Sequence, residues 1–538
     1  MILKSIASVL AAASAYGLYL VLKTLYREFT SPLRYIRGPR STHWFYGNLK
    51  GLINDEAGFE ENLVKEYGRT WKFHRFFGQS ALYSTDPKAL HHFLSNTHVY
   101  QKSEASRFSL GQVVGPGILV VEGEQHKQQR KIMNPAFGIP QIRELTEIFV
   151  DKSIQLRDIW TAQAAKSDGV ARVEALSWLS KATLDIIGLA GFNYKIDALA
   201  AEDDAPPNEL AEAFEASFSS DTGFSFIRFL QMRYPLLRGI PLKRDKTAIA
   251  AQQTMKRIGR ELLASSKREV SENGTFETGS GRARDLLTLL VRANTSKDVP
   301  AHQRLSDEDV IAQVPTFLVA GHETTSTAVT WTLFALTQNP AAQTRLREEL
   351  LAFPTDRPTL DELNSLRYLD CVVRETLRVH APVTMTGRMA MQDDVVPLST
   401  PVTDSRGEVH ESIRIRKGDQ ILIPILALNH DTDIWGPDAM EFRPERWETE
   451  IPEASAIPGV WGHMMTFIGG PRSCIGFRFS LAEMKALIFT LVRAFEFELA
   501  VPRAEMGATG NSIVLRPALI TDLAAGNQLP LVVKTVVR

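Results

Sequence analysis

Cysteine is scarce in this chain: 538 residues contain two, Cys371 and Cys474. Two thiols cannot staple a chain of that length, which excludes a disulfide-dense secreted scaffold and leaves apolar burial to drive folding. An excess of charge of one sign is also absent. The 61 basic and 62 acidic residues leave a net charge of −1, which gives no field for a phosphate backbone, so nucleic acid is not an expected partner. There is no Cys-x-x-Cys pair, no internal repeat and no low-complexity stretch. With 44% hydrophobic and 23% charged residues, the chain can bury a large core and does not read as disordered.

One long apolar run is present. Ser5–Leu22 holds 18 uncharged residues, about 27 Å as a helix rising ~1.5 Å per residue, close to one hydrocarbon core. It reads as an uncleaved membrane anchor over residues 1–22, because the apolar stretch runs on past the small-residue site Ala13-Ser14-Ala15. Lys23, Arg27, Arg34 and Arg37 follow it and only Lys4 precedes it, which places the remainder on the cytoplasmic side of a single-pass protein. Residues 23–40 read as a basic, proline-bearing linker and residues 41–538 as one large globular domain.

That body reads as mainly α with small β-sheets. Val170–Gly191, Asn208–Ser219, Thr247–Val270 and Asp285–Ala293 show helical apolar spacing or strong helix formers. Ser80–Ser84, Ile413–Arg416, Gln420–Ile425, Ser512–Leu515 and Leu531–Val537 read as short strands. Ser306 with Asp309 predicts a capping box, and the apolar pattern then continues to Asn339-Pro340, a helix of about 33 residues and nearly 50 Å. Pro315 predicts a kink in it. Its centre, Ala320-Gly321-His322-Glu323-Thr324-Thr325, combines small residues that let a flat group approach with hydroxyls that divert backbone carbonyls, and it places an acid beside a hydroxyl. A core helix with a packing glycine and a solvated Glu323 is the plain alternative.

Near the carboxyl end, Phe467-Ile-Gly-Gly470-Pro-Arg472-Ser-Cys474-Ile-Gly476 precedes an amphipathic helix that runs to about Phe495. Glycines flank a lone thiol at a helix amino terminus, where N–H groups stabilise a thiolate. One cysteine cannot build a zinc site, which takes about four ligands. It can serve as the single protein ligand of a haem iron, with Arg472 placed for a propionate and Phe467 covering the ligand side. Cys371, on an apolar helix face, reads as packing.

This run resembles, position for position, the haem-binding signature F-x-x-G-x-R-x-C-x-G of the cytochrome P-450 family. Ala320–Thr325 resembles the family's oxygen-binding groove, Glu375-Thr-Leu-Arg378 its E-x-x-R helix, and Pro444-Glu-Arg446-Trp447 its later P-x-R element. The resemblance spans about residue 38 to the end. It implies haem b bound through Cys474, with Gly470, Gly476, Ala320 and Gly321 close to the ring, and a buried charge network of Glu375, Arg378 and Arg446. It further implies that His126, where the family has an aromatic residue, Arg130 and Arg388 bind haem propionates, and that residues 41–538 form the haem-thiolate monooxygenase domain.

The implied activity is oxidation, mainly hydroxylation, of a lipophilic small molecule with dioxygen and two electrons, Thr324 and Glu323 delivering protons. A secondary metabolite such as a terpenoid, a sterol-like compound or a fatty compound suits the apolar segments expected around the pocket, and Phe224, Phe226, Phe229, Leu230, Leu236 and Leu237 read as a patch that dips into the bilayer. No Gly-rich nucleotide fingerprint follows the cysteine loop, so the electrons come from a separate NADPH-cytochrome reductase, or for the second one a small cytochrome, on the same endoplasmic reticulum membrane. Lys127, Arg130, Lys131 and Arg478 are the expected docking patch. Two other functions fit parts of the pattern: a haem-thiolate enzyme that rearranges peroxides, against which Glu323-Thr324 argues, and a non-catalytic haem-binding membrane protein.

Overall fold

The computed structural model describes residues 2–54, 59–200, 208–218, 226–239, 243–272, 285–297, 299–509 and 514–536. They fall into two compact units, each assembled from discontinuous segments.

The smaller unit takes in residues 1–101, 385–428 and 456–458. Its core is a five-stranded sheet in the order Thr70–His74, Ser80–Ser84, Gln420–Pro424, Met385–Ala390, Tyr100–Gln101. The pairing is antiparallel except between Ser80–Ser84 and Gln420–Pro424, which run parallel with Leu82 opposite Ile421. The alternation of strand side chains buries Trp71, Phe73, Ala81 and Tyr83 in one cluster, where the Trp71 and Tyr83 rings stack at 4.0 Å. Both strands expected here, Ser80–Ser84 and Gln420–Ile425, are present, the second ending one residue early. The expected strand Ile413–Arg416 is the end of a longer one, Val409–Ile415, paired with Asp394–Thr403.

The expected membrane anchor is corrected. Ser5–Leu22 lies within one helix, Ile2–Phe29, but among the described residues no helix is long and apolar enough to cross a membrane. Ser8, Ser14, Tyr16, Gly17 and Tyr19 dilute the branched aliphatic content that a span requires, and the single-pass endoplasmic reticulum topology built on it loses its support. The helix continues through the basic residues after it and is tied down within its unit: Glu28 accepts from the Ser80 N–H at 3.0 Å and its hydroxyl at 2.7 Å.

The larger unit is helical. Its axis is Gln313–Gln338, buried along nearly all its length and packed chiefly on Ala175–Phe192. Phe477–Ala494 packs on this central helix and on Ile139–Ala164, where the Phe149 and Phe479 rings meet at 4.8 Å. The predicted 33-residue helix is two. The Ser306–Asp309 capping box forms as expected and starts Asp307–Ile311, then the chain breaks at Ala312. Pro315 has no N–H for the Ile311 carbonyl. Gln313 spans the break instead, its Nε2 donating to the Asp309 carbonyl at 2.8 Å while its Oε1 accepts from the Ile118 N–H at 3.0 Å.

The helix expected over Val170–Gly191 starts five residues late. Val170–Glu174 is a strand of the sheet it forms with Pro530–Thr535 and Phe495–Leu499, because Glu174 caps the following helix through the Leu176 and Ser177 N–H groups. Asp285 likewise caps Leu286–Thr295. Residues 512 and 513 and Phe224 lie outside the described residues, so the start of the expected strand Ser512–Leu515 and part of the apolar patch are not described. Of that patch, Leu236 is 96% exposed, whereas Leu230 and Leu237 are half-buried.

Candidate functional site

The cysteine loop is built by two left-handed residues, Ile468 and Gly470, at φ +53° and +70°. A β-branched residue there is strained by roughly 1–3 kcal/mol. The turn they make is closed by the Cys474 N–H on the Phe467 carbonyl at 2.9 Å and the Ser473 N–H on the Gly470 carbonyl at 3.0 Å. Phe467 is buried, its ring 5.8 Å from that of Trp461 and 6.0 Å from that of Phe477. Gly476 begins the helix Phe477–Ala494 without a side-chain cap.

The Cys474 side chain has an exposed face. The protein packed around the rest pushes its thiol above the ordinary range, opposed by the Gly476 N–H and the charge of Arg130. A thiolate at this position therefore calls for the added positive charge of a metal ion. Arg130 donates from Nη1 to the Ser473 carbonyl at 2.5 Å and from Nε to Asn134 Oδ1 at 2.9 Å. The resemblance gives Arg130 to a propionate; here its guanidinium holds the residue next to Cys474.

Around Arg472 of the loop lies an excess of half-buried positive charge, from Arg107, Lys102 and Arg130. Arg472 is ion-paired with Glu122 and reaches the Val121 carbonyl at 3.4 Å, yet its Nε is buried without a hydrogen-bond partner among the described residues. Arg107 has an equally orphaned Nε and lies near enough to Arg472 to lower its pKa. Sequence reasoning missed Arg107, which no motif marks. His126 is buried on Gly123–Met133. Desolvation and the charges of Arg472, Lys102 and Arg130 drive its pKa down to about 3, so its imidazole stays neutral. Two orphaned guanidinium nitrogens within a cationic cluster are a cradle for carboxylates, and with the Cys474 thiol these residues fit the haem implied by the resemblance.

The middle of the central helix has one relieved face. Ala320, Gly321 and Thr324 are half-buried between fully buried neighbours, and Thr324 Oγ1 donates to the Ala320 carbonyl at 2.7 Å, the expected diversion. Gly321 has a packing reason as well: a Cβ there would lie 2.9 Å from Ile187 Cδ1 of the neighbouring helix. Glu323 is buried, ion-paired with Arg516, and 3.5 Å from His322 Nδ1. The acid and the hydroxyl, adjacent in sequence, thus meet different partners. Arg516, on the strand Arg516–Leu519, was invisible to sequence reasoning because the ion pair joins segments nearly 200 residues apart.

The charge network forms as expected and is larger. Glu375 receives both arms of the Arg378 fork at 2.7 and 2.9 Å and Arg446 Nε at 3.3 Å. It also accepts from the Arg443 N–H at 3.0 Å and from Trp447 Nε1 at 2.9 Å. Arg378 further donates to the carbonyls of Asn429 and Glu441 at 2.8 and 3.1 Å. Arg388 belongs to the smaller unit, buried on Met385–Ala390, where its Nη1 donates to Thr386 Oγ1 at 2.9 Å. Of the expected docking residues, Lys127, Lys131 and Arg478 are exposed, Lys127 in an ion pair with Glu124. Cys371 is buried, which pushes its thiol up to about 11, as packing requires.

Comparison with known proteins agrees with this geometry. The family model described as Cytochrome P450 matches residues 36–521. Cytochrome P450 monooxygenase 205 of Postia placenta is 51% identical over 527 residues, covering 97% of this chain and 96% of that protein. Cytochrome P450 monooxygenase 128 of the same fungus is 50% identical over 98% and 97%. Cytochrome P450 monooxygenase claW of Ampulloclitocybe clavipes is 35% identical over 95% and 94%. A family model spanning most of the chain, together with relatives that share half its residues end to end, establishes that this chain belongs to the cytochrome P450 family and is an oxidoreductase of the monooxygenase type.

Proposed function

We propose that this monooxygenase inserts one oxygen atom into a C–H bond of a lipophilic small molecule, taking two electrons from a separate NADPH-dependent reductase. The balance is substrate, O2, two electrons and two protons in, and hydroxylated product and water out. The observation that carries the reading is the Cys474 loop, an exposed lone cysteine next to Arg472, whose guanidinium belongs to a cationic cluster with two unsatisfied nitrogens. A haem bound through a cysteine thiolate supplies O–O cleavage and the oxidising power for C–H attack.

The chain's own residues do the rest. Cys474 gives up its proton on ligation. Arg472, Arg107 and neutral His126 orient the carboxylates. Ala320 and Gly321 let the ring lie close to the central helix, and Thr324 holds a proton at Oγ1 that Glu323 replenishes, a relay worth on the order of 10²-fold or more in rate. Phe317, between the Phe137 ring at 5.5 Å and the Phe192 ring at 6.5 Å, supports an apolar substrate such as a terpenoid, sterol-like or fatty compound. The exposed cations Lys127, Lys131 and Arg478 suit an acidic reductase face.

The test is Cys474→Ala. The variant is expected to lose the red-shifted band of the reduced, carbon-monoxide-bound protein and all product heavier by one oxygen; retention of that band removes Cys474 from the assignment.

A further inference from the structure

The smaller unit carries a two-stranded sheet, Asp394–Thr403 with Val409–Ile415, whose register shifts between Pro397 and Val402. Beyond that shift the ladder is short: Val402 pairs with His410 and Thr403 with Val409, and residues 404–408 turn the chain back. Among the described residues, this turn is the one place where three His, Cys, Asp or Glu side chains bring ligand atoms within 4.8 Å of one another, and they are Asp404, Glu408 and His410. None of the three has a part in the oxidation proposed above.

Their donor atoms are arranged in advance. The Asp404 side chain is 1% exposed, and its Oδ1 accepts from the Arg406 N–H at 2.8 Å and the Glu408 N–H at 3.0 Å. Those two bonds fix the carboxylate and leave Oδ2 facing His410 Nε2 at 3.3 Å. Glu408 and His410 are open to solvent, with side chains 60% and 33% exposed. The space between the two carboxylates is taken by a side chain that can leave it. Arg406 Nη2 donates to Asp404 Oδ2 at 3.1 Å and to Glu408 Oε2 at 2.7 Å, while its guanidinium carbon lies 3.9 Å from the Tyr35 ring centroid. One guanidinium leaves one of the two negative charges uncancelled, whereas a divalent ion cancels both, and the Tyr35 face retains the cation that is displaced.

We propose that Asp404 Oδ2, a carboxylate oxygen of Glu408 and His410 Nε2 form a binding site for a divalent transition-metal ion of the zinc class. An imidazole nitrogen joined to carboxylate oxygens suits zinc and its neighbours, whereas calcium and magnesium take oxygen ligands alone. Ligand atoms held about 2.0–2.2 Å from a tetrahedral zinc stand about 3.4 Å apart, so rotation of the two solvent-facing side chains closes the present spread. The ion displaces the Arg406 fork, His410 keeps its ring proton on Nδ1, and water takes the fourth position. Binding clips the turn to the strand behind it, at the end of the hairpin where the register shift leaves the ladder shortest.

The experiment uses the full-length holoenzyme, free of any affinity tag, with zinc chloride as the added ligand and calorimetry near pH 7 as the first readout. One zinc per chain is expected to bind. His410→Ala and Glu408→Gln should each weaken that binding about tenfold or more, and Arg406→Met should tighten it several-fold by removing the competing cation. Retention of the carbon-monoxide band shows that each variant is folded; a variant that loses it is replaced by His410→Gln, for which weakened binding supports the site and unchanged binding overturns it. Hydrogen exchange read by mass spectrometry should show the amides of residues 404–410 slowed by zinc in the parent protein and not in His410→Ala, and unaffected by calcium chloride. Absence of saturable zinc binding overturns the site. Zinc bound equally well by the parent, His410→Ala and Glu408→Gln is an adventitious ion only, held elsewhere, and overturns it too. Calcium that slows the same amides as strongly as zinc overturns the mixed donor set, and an unchanged affinity in Arg406→Met overturns the displacement of its fork.

Discussion

Replacing Glu375 by Gln removes one charge from the centre of the larger unit while preserving its shape. Glu375 and Arg378 are fully buried, Arg446 nearly so, and five donors converge on the two carboxylate oxygens. Glutamine offers one acceptor where the carboxylate offers two, and turns its NH2 toward at least one incoming donor. Two guanidinium groups are then left in the interior without their counter-charge. Breaking a buried pair from one side costs about 3–5 kcal/mol, about a fifth or more of the ~5–15 kcal/mol that holds a typical native state together. Urea unfolding followed by tryptophan emission suits the site, because Trp447 bonds Glu375 directly and the Arg378 guanidinium lies 5.2 Å from the Trp435 ring centroid. Arg143→Met is the matched control: its fork to Asp361, at 3.1 Å on both arms, has the same chemistry but stands in solvent. The expected result is a large drop in the midpoint for Glu375→Gln and none resolved for Arg143→Met. Equal shifts in the two variants would refute the claim that burial, and not the ion pair as such, gives the network its weight.

Acid should destabilise the fold early. His322 and His380 have pKa values lowered to about 3 and His430 to about 4, in each case first by burial, so between those values and the ordinary 6.5 the unfolded chain binds protons that the folded one does not. Stability is complete above about pH 6.5 and falls as the pH drops toward 3, by up to ~1.4 kcal/mol per pH unit for each histidine; urea midpoints across pH 7 to 4 measure it, and a slope unaltered by His380→Gln would count against the assignment. Gly321→Val should destabilise by about 1–3 kcal/mol through its clash with Ile187, and Ile187→Ala should relieve it in the double variant; additive losses would disprove the contact. Thr324→Ala should lower product per NADPH while leaving the carbon-monoxide band intact, and unchanged coupling would remove Thr324 from the relay.

Where a motif is local, it was legible. The capping box at Ser306, the diversion at Thr324 and the fork of Glu375 with Arg378 follow from spacings of three or four residues, and each appears as expected. What escaped was set by partners distant in the chain. The ion pair of Glu323 with Arg516 and the hydrogen bond of Arg130 to the Ser473 carbonyl join segments that no local spacing connects. Val170–Glu174 has the composition of a helix start and becomes a strand because Pro530–Thr535 lies alongside. The amino-terminal run was misjudged on charge alone; counting the uncharged serines, glycine and tyrosines as apolar overstated its affinity for lipid.

The loop that carries Cys474 contains the residues least able to hold a shape by themselves. Glycines at 469, 470 and 476 leave the free chain many conformations, and confining that freedom at the moment of ligand capture would weaken binding. The Cys474 N–H on the Phe467 carbonyl and the Arg130 arm on the Ser473 carbonyl confine it beforehand. The entropy of the loop is thus spent when the chain folds, so affinity for the prosthetic group is set in part by Arg130, a residue on a separate helix that need not touch the group at all.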